Sequence, residues 1–283
     1  MQFESALVGA VTVWYNPGPA FVENIRSYSA YAGCVVIVDN SSASNKDLFD
    51  KIDSTNKTYI WNAENLGIAK AFNQGLLMLI EKGYKYTFTF DQDSSFEKKE
   101  IKKMLQAAEN LDWGDVGILS PIHLQQKSIP AYNADEFTPV TCVMASGNLL
   151  NLTIAQKAGF FNEQLFIDHV DNEYCLRLHK LGYKVLQANV FLIHELGNYK
   201  NIYFFGKRVG GFISHSPQRL YYFVRNSLYI LRNYFFLDIK YSLTEVTSLF
   251  KRFAKLFFEG DTKKRLKLYF RGIRDSKKLD QEA

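Results

Sequence analysis

Two acidic side chains one residue apart, at the end of an apolar run, are the sharpest chemical signal in this sequence. Phe88-Thr89-Phe90 leads directly into Asp91-Gln92-Asp93. β-Formers followed by carboxylates put oxygen donors at a strand terminus. Hard divalent cations such as Mg²⁺ or Mn²⁺ take oxygen ligands and keep positions open for phosphate. A cation there can bridge the phosphates of a nucleoside diphosphate and neutralise a leaving group. Taken alone the same residues make a solvated turn, so the metal reading leans on what precedes them. A second acidic block, Asp168-His169-Val170-Asp171-Asn172-Glu173, stands ahead of Arg177. Glu173 and Arg177 have the i,i+4 spacing of a structural ion pair on a helix. Asp168 and Asp171 precede or open that helix, and either, ionised, can take a proton from an attacking hydroxyl. The helix N-terminus favours the ionised form. His194, ending the run Lys184–Ile193, is either a surface residue or a third metal ligand at the same sheet mouth.

The elements that must position these groups alternate. Residues 1–124 read as strand-then-helix units: Leu7–Trp14, a breaker at Asn16-Pro17-Gly18-Pro19, a helix around Ala20–Ala32, then the strand Cys34–Val38. Tyr59–Trp61, a helix Ile68–Lys82, Tyr86–Phe90, a helix near Glu97–Asn110 and Val116–Leu119 continue the rhythm. Such alternation predicts a parallel sheet with helices on both faces, and ligands gather at the carboxyl ends of its strands. Tyr15-Asn16, Asp39-Asn40, Asn62–Asn65 and Asp91–Asp93 all fall there. Asp39 either accepts from a nucleobase N–H or ribose hydroxyl, or caps the next helix. Asn65-Leu66-Gly67-Ile68-Ala69 opens a helix: Gly67 permits close backbone approach and the helix start favours phosphate, the alternative being an ordinary capped helix. Beyond residue 125 the rhythm changes, with a strand region Phe137–Leu150, a helix near Asp171–Leu181 and a Tyr- and Arg-rich helix Pro217–Phe235.

Composition narrows the partners. Hydrophobic residues make up 47% of the 283, enough for a substantial core and against disorder. Aromatics reach 15%, a surplus expected to lie partly on the surface. Cys34, Cys142 and Cys175 are odd in number and widely spaced, which argues against a disulfide framework or zinc site and for a reducing cytoplasm. The N-terminal residues lack a signal-peptide pattern, and no uncharged apolar run reaches the ~20 residues of a membrane span. Residues 240–283 carry 12 Lys/Arg against 6 Asp/Glu, whereas the rest of the chain holds 22 against 23. In a helix over 243–258, Leu243, Val246, Phe250, Phe253 and Phe257 share a face, with Leu249 and Leu256 alongside and Lys251, Arg252 and Lys255 opposite. An anionic membrane surface, not nucleic acid, is the expected partner of this tail, the alternative being a packed helix with a solvated basic face.

In this order the segments resemble the family-2 glycosyltransferases of GT-A fold. Val13-Trp14-Tyr15-Asn16-Pro17, Val36–Ser42, Asn65–Asn73, Phe90–Asp93, Ser146-Gly147-Asn148 and Asp168–Arg177 carry the likeness, over roughly residues 5–235. Phe90–Ser94, Ile167–Arg177 and Ser216–Asn226 are most similar to the bacterial rhamnosyltransferases, which use dTDP-L-rhamnose to build surface polysaccharides. The resemblance implies a Rossmann-like, mostly parallel sheet in residues 1–235, nucleotide-binding to about 124 and acceptor-binding beyond, followed by a basic helical tail over 236–283. It implies a nucleotide-sugar site of Val13, Tyr15, Asn16, Asp39, Asn40, Asn65, Gly67, Ala69, Asn73, Asp91 and Gln92, and a divalent Mg or Mn held by Asp93, with Asp91 and His194. Gly147, Asn148 and Arg225 would face the acceptor, a lipid-linked saccharide met at the inner face of the cell membrane. The family's Glu-Asp base motif, aligned through Arg177, places its Asp on Asp171, but Val170 replaces the Glu, which leaves Asp168 as a rival base. The Gln-x-x-Arg-Trp motif and membrane spans of processive relatives are missing, so one sugar per encounter, transferred with inversion, is expected. A UDP- or GDP-linked donor is the alternative, and a sugar-nucleotide or polysaccharide-binding module the non-enzymatic one. Hydrophobic strand–Asp-x-Asp also opens the haloacid-dehalogenase phosphatases, but on their first strand, whereas here three βα units come first.

Overall fold

The computed structural model of the chain describes residues 4, 7–124, 137–194, 199–204, 207–213, 216–258 and 260–279, with side chains for all of these except 194–213. The chain forms two compact units, Met1–Glu163 with Val170–Glu195, and Gln164–His169 with Leu196–Ala283. The second unit takes in the Pro217–Tyr234 helix, which the sequence division at residue 235 separates from the tail.

The first unit is a sheet flanked by helices. β1 (Val8–Trp14) and β2 (Cys34–Asp39) are buried along their whole length, as runs of β-branched residues inside a parallel sheet are. They pair in parallel with each other, β2 with β3 (Lys57–Trp61), and β1 with β4 (Tyr86–Asp91). The intervening helices are α1 (Ala20–Ser29), α2 (Lys46–Asp50) and α3 (Ile68–Glu81). After β4 come β5 (Ser94–Phe96), α4 (Lys98–Asn110), β6 (Val116–Leu124), β7 (Phe137–Pro139), β8 (Asn148–Asn151), α5 (Leu152–Ala158), α6 (Val170–Lys180) and β9 (Lys184–His194). The strand order is β3-β2-β1-β4-β8-β6-β9-β5, with β7 also on β9. The expected parallel sheet fills the first four places. Beyond them β8 runs antiparallel to both β4 and β6, and only β6 and β9 are parallel.

An aromatic core underlies this sheet. Trp14, Tyr28, Tyr86, Phe88, Phe90, Phe96 and Trp113 are buried together, with Tyr28 stacked on Phe90. Burial of rings this size contributes about 1.5–3 kcal/mol each. α3 lies close on β1 because glycine makes room: a Cβ on Gly9 would stand 2.6 Å from Leu79.

In the second unit an antiparallel hairpin, β10 (Tyr199–Phe204) and β11 (Lys207–Ile213), precedes α7 (Pro217–Tyr234), α8 (Ile239–Lys255) and α9 (Thr262–Asp275). Ser216 caps α7 through Arg219 N, with Pro217 in the first turn. Asp238 caps α8 through Tyr241 N. Leu220, Phe223, Val224, Leu249, Leu256 and Tyr269 form this unit's own core. Among the described residues no helix is long and apolar enough to cross a membrane.

Candidate active site

Register brings the polar strand ends of the first unit to one rim. Trp14 pairs with Asp39, Asp39 with Trp61, and Val13 with Asp91. The Asp91–Asp93 turn is pinned through its middle residue. Tyr15 N donates to Gln92 Oε1 at 2.9 Å, Gln92 Nε2 donates back to Tyr15 O at 3.3 Å, and Asn24 Nδ2 reaches Gln92 O at 2.9 Å. Gln92, expected in the nucleotide site, thus staples the acidic turn to the end of β1. Asp91 and Asp93 are half-buried on either side of it, and Ser146 Oγ accepts from Asp91 N at 3.0 Å. Antiparallel pairing of β5 with β9 sets His194 opposite Ser94, the residue after Asp93. The His194 side chain itself lies outside the described residues. Two carboxylates fixed on a short turn suit a hard cation that shares its remaining positions with phosphate oxygens and water. Among the described residues no cluster of three or more His, Cys, Asp or Glu makes a self-sufficient protein cage.

On the nucleotide side, Asp39 is wholly buried. It accepts from Ser41 N (2.9 Å), Asn45 N (3.2 Å), Asn45 Nδ2 (2.9 Å) and the Tyr59 hydroxyl (2.6 Å). Contact with a base would add to, or displace, one of these bonds. The carboxylate shapes the 40–45 loop from within and does not cap α2 through its own side chain. Asn40 donates to Gly67 O (3.0 Å) and accepts from Asn62 (2.8 Å), tying the loop to the start of α3. Gly67 sits at φ 86°, ψ 162°, accessible in practice only to glycine, and its N–H donates to Asn65 Oδ1 at 3.0 Å. Tyr15 is 50% and Trp61 46% exposed, leaving aromatic surface at two strand ends. Trp61 is anchored through Nε1 to Ser41 O at 3.0 Å. Asn16, at φ 48°, donates its N–H to Ser41 Oγ at 2.7 Å. Val13 and Ala69 are buried. Asn73, also buried, binds Phe161 O, Phe161 N and Glu163 Oε1.

Ser146-Gly147-Asn148 turns into β8 beside Asp91. Gly147 lies at φ +76° with its N–H on Thr89 O at 2.6 Å, and a Cβ there would meet Leu192 at 2.7 Å. Asn148 Nδ2 donates to Met144 O at 2.8 Å, while its buried Oδ1 has no partner. Asp171 stands in the first turn of α6, its Oδ1 accepting from Asn172 N at 2.9 Å. Glu173 and Arg177 form the expected pair, with two bonds of 2.9 Å, and Arg177 also holds Ala158 O and Phe160 O.

In the second unit, Gln164–His169 lies along α7. Phe166, Asp168 and His169 all adopt left-handed backbone, φ 64°, 61° and 62°, at a cost of roughly 1–2 kcal/mol per non-glycine residue. Asp168 is gripped by Arg219, whose Nε reaches both carboxylate oxygens at 3.0 and 3.1 Å. Arg225, expected to face an acceptor, spends its guanidinium on Gln164 O (2.6 Å) and Leu165 O (3.0 Å). Asn226 Nδ2 faces the carbonyls of Leu165, Ile167 and Asp168 at 2.8–2.9 Å.

Residues 15–122 match the family described as glycosyl transferase family 2. Over 246 residues the chain is 30% identical to dTDP-rhamnosyl transferase RfbF of Shigella flexneri, covering 79% of both chains. The chain belongs to glycosyl transferase family 2. Solved structures share its fold. GalNAc-T7 with UDP, GalNAc and Mn²⁺ gives a TM-score of 0.59 at 13% identity over 80% of this chain, which spans 48% of that one. Residues 1–349 of S. aureus TarS with UDP-GlcNAc give 0.61 at 13% identity, over 96% of this chain and 81% of that one.

As a family-2 glycosyltransferase, the chain has the GT-A sheet that its motifs imply. Three positioning residues were not singled out from sequence: Trp61 and Ser146 in the first unit and Arg219 in the second. Trp61 had a sequence signal, an aromatic closing a short apolar run. Arg219 lies in the Ser216–Asn226 block, but nothing local marks it as the partner of Asp168, 51 positions away.

Proposed function

We propose that this glycosyltransferase transfers single L-rhamnosyl units from dTDP-L-rhamnose to a hydroxyl of a lipid-linked saccharide, with inversion, in bacterial surface polysaccharide synthesis. The 30% identity to a dTDP-rhamnosyl transferase, over 79% of the chain, is the observation that carries the donor. Asp91 and Asp93, with His194, would hold Mg²⁺ or Mn²⁺, which when bound offsets the charge of the departing diphosphate. Gln92 and Ser146 keep the two carboxylates fixed. Tyr15, Asn16 and the Asn40 and Gly67 loops line the nucleotide's side of the rim, and Asn148 the acceptor's.

Asp171 is the general base. Its carboxylate takes the proton of the acceptor hydroxyl as the oxygen bonds to the anomeric carbon and the bond to the diphosphate breaks on the opposite face. A place in the first turn of α6 favours the ionised form it needs. Asp168 is less suited, since both its oxygens are engaged by Arg219. The basic tail brings the enzyme to the anionic inner face of the cell membrane, where a lipid-linked acceptor resides.

A competition assay tests the reading: dTDP-β-L-rhamnose, UDP-glucose and UDP-GlcNAc offered together, with nucleoside diphosphate release followed in Mg²⁺ and in EDTA. Rhamnose transfer that stops in EDTA is expected. Preference for a UDP-hexose would overturn the donor, and undiminished turnover in EDTA the metal.

A further inference from the structure

The segment ahead of the base is held by the C-terminal helices, and its last clamp comes from the tail. His169 is buried, with Nε2 2.9 Å from Ser227 Oγ on α7 and 3.2 Å from Glu245 Oε1 on α8. Ser227 Oγ donates to the same Glu245 oxygen at 2.6 Å. With the serine proton committed to the carboxylate, His169 Nε2 must carry the proton that it shares between serine and glutamate. We propose that Glu245 is a positioning residue for glycosyl transfer, locking through His169 and Ser227 the left-handed turn that carries Asp168 and runs on to Asp171. The inference rests on Asp171 as the base and goes beyond it by giving the C-terminal segment a part in turnover.

The turn needs such a lock. Left-handed backbone at three non-glycine residues persists only where the surroundings over-determine it. Here Asn226 takes the carbonyls, Tyr222 stacks on Phe166 with ring centroids 4.8 Å apart, and Arg219 takes the Asp168 carboxylate. His169 is the last residue of the turn, and the chain reaches Asp171 two residues later. If His169 loses its partners, its backbone relaxes toward negative φ and the lead-in to the base changes direction. A displacement of about 1 Å at a reacting group is enough to cost ~10²-fold in rate. Glu245 is held in its ionised form, in which its oxygens are acceptors only. Burial pushes its carboxyl up, but the hydrogen bond and charge of His169, the Ser227 bond and the charge of Arg252 outweigh this and hold it below the usual range. Arg252 in turn lies 3.6 Å over the ring of Phe223, which packs 4.9 Å from His169.

The experiment compares Glu245→Ala, Glu245→Gln and Asp171→Asn in the full-length enzyme by steady-state kinetics and nucleoside diphosphate binding. Glu245→Ala should lower kcat by on the order of tenfold or more while donor KM stays within about twofold. Glu245→Gln, whose amide oxygen still accepts from Ser227 and His169, should recover most of that loss. Wild-type kcat in Glu245→Ala overturns the assignment, as does a parallel loss of nucleotide binding, which would mean general damage. If Glu245→Ala does not fold, Ser227→Ala takes its place: lowered kcat at constant donor KM supports the role and wild-type kcat refutes it. Full activity in Asp171→Asn would instead sink the base reading, whatever Glu245 does.

Discussion

The tail helix exposes a row of apolar side chains whose proposed membrane role can be measured directly. At about 100° per residue, Ile239, Leu243, Phe250 and Phe257 fall within about 40° of one another, and Ser242, Glu245, Leu249 and Leu256 on a separate arc. The second set is buried, whereas Ile239 is 53%, Leu243 53%, Phe250 71% and Phe257 58% exposed. α8 therefore packs on its own unit with one edge and presents another, and the exposed Lys263, Lys264 and Lys267 of α9 supply positive charge in the same unit. Transfer of a whole phenylalanine side chain from water is worth about 1.5–3 kcal/mol. Scaled by the exposure still available, Phe250 and Phe257 together contribute roughly 2–4 kcal/mol to insertion. Replacing both with serine should weaken binding to vesicles of mixed zwitterionic and anionic lipid about 30- to 700-fold. Each lysine adds about 1 kcal/mol that salt screens. Co-sedimentation at low and high salt separates the two parts: the double serine variant loses the salt-resistant component and a triple Lys→Gln variant of α9 the salt-sensitive one. Pelleting of the Phe250/Phe257 variant equal to wild type would refute the insertion face. Truncation at residue 240 is a poorer test, because it also removes Leu249, Leu256 and Tyr269 from the core of this unit.

Two further outcomes are expected. Asp93→Ala should abolish transfer and leave nucleoside diphosphate affinity, measured by calorimetry, no longer raised by Mg²⁺ or Mn²⁺; a metal-dependent gain that persists would free Asp93 of its role. Asp275 is held well below the usual carboxylate range by its hydrogen bond to Arg274, opposed by burial and reinforced by Arg271 and Tyr221. A depressed folded-state pKa stabilises above the unfolded value of about 4 and is lost as pH falls through the folded one. The melting-temperature gap between wild type and Asp275→Asn should thus be full near neutrality and narrow below about pH 4, and a gap independent of pH would contradict this origin.

Much of the sheet was legible because its central strands are read twice, by composition and by punctuation. Leu7–Trp14, Cys34–Val38 and Tyr86–Phe90 are apolar runs closed by Asn or Asp, and the structure ends β1, β2 and β4 within two residues of those stops. The second half was harder. Phe137–Leu150 reads as one strand region, yet Phe137–Pro139 pairs with β9 while Asn148–Asn151 crosses to β4 and β6. Between them lies the left-handed Gly147, where a Cβ would meet Leu192, a residue 45 positions away. Elements as short as α2 and β5 carry too few residues for any period to show.

The candidate site divides along the same line between local and distant causes. Asp91, Asp93 and Asp171 announce themselves as candidates because a strand end and a helix start are both local features. The residues that hold those carboxylates in place are not local. Gln92 was expected at the nucleotide, and its amide also meets the backbone of Tyr15, 77 positions away, at both ends. The tail seam Leu243, Val246, Phe250, Phe253, Phe257 has the period of one buried face, yet α8 buries Leu249 and Leu256 from beside it and leaves Leu243, Phe250 and Phe257 in solvent. Period identifies the helix, but which arc is covered depends on what lies against it. Buried Glu245, with His169 76 positions away, is the sharper case: an acid in a basic tail looks like solvated charge, and only tertiary contact sets it beside the turn that precedes the proposed base.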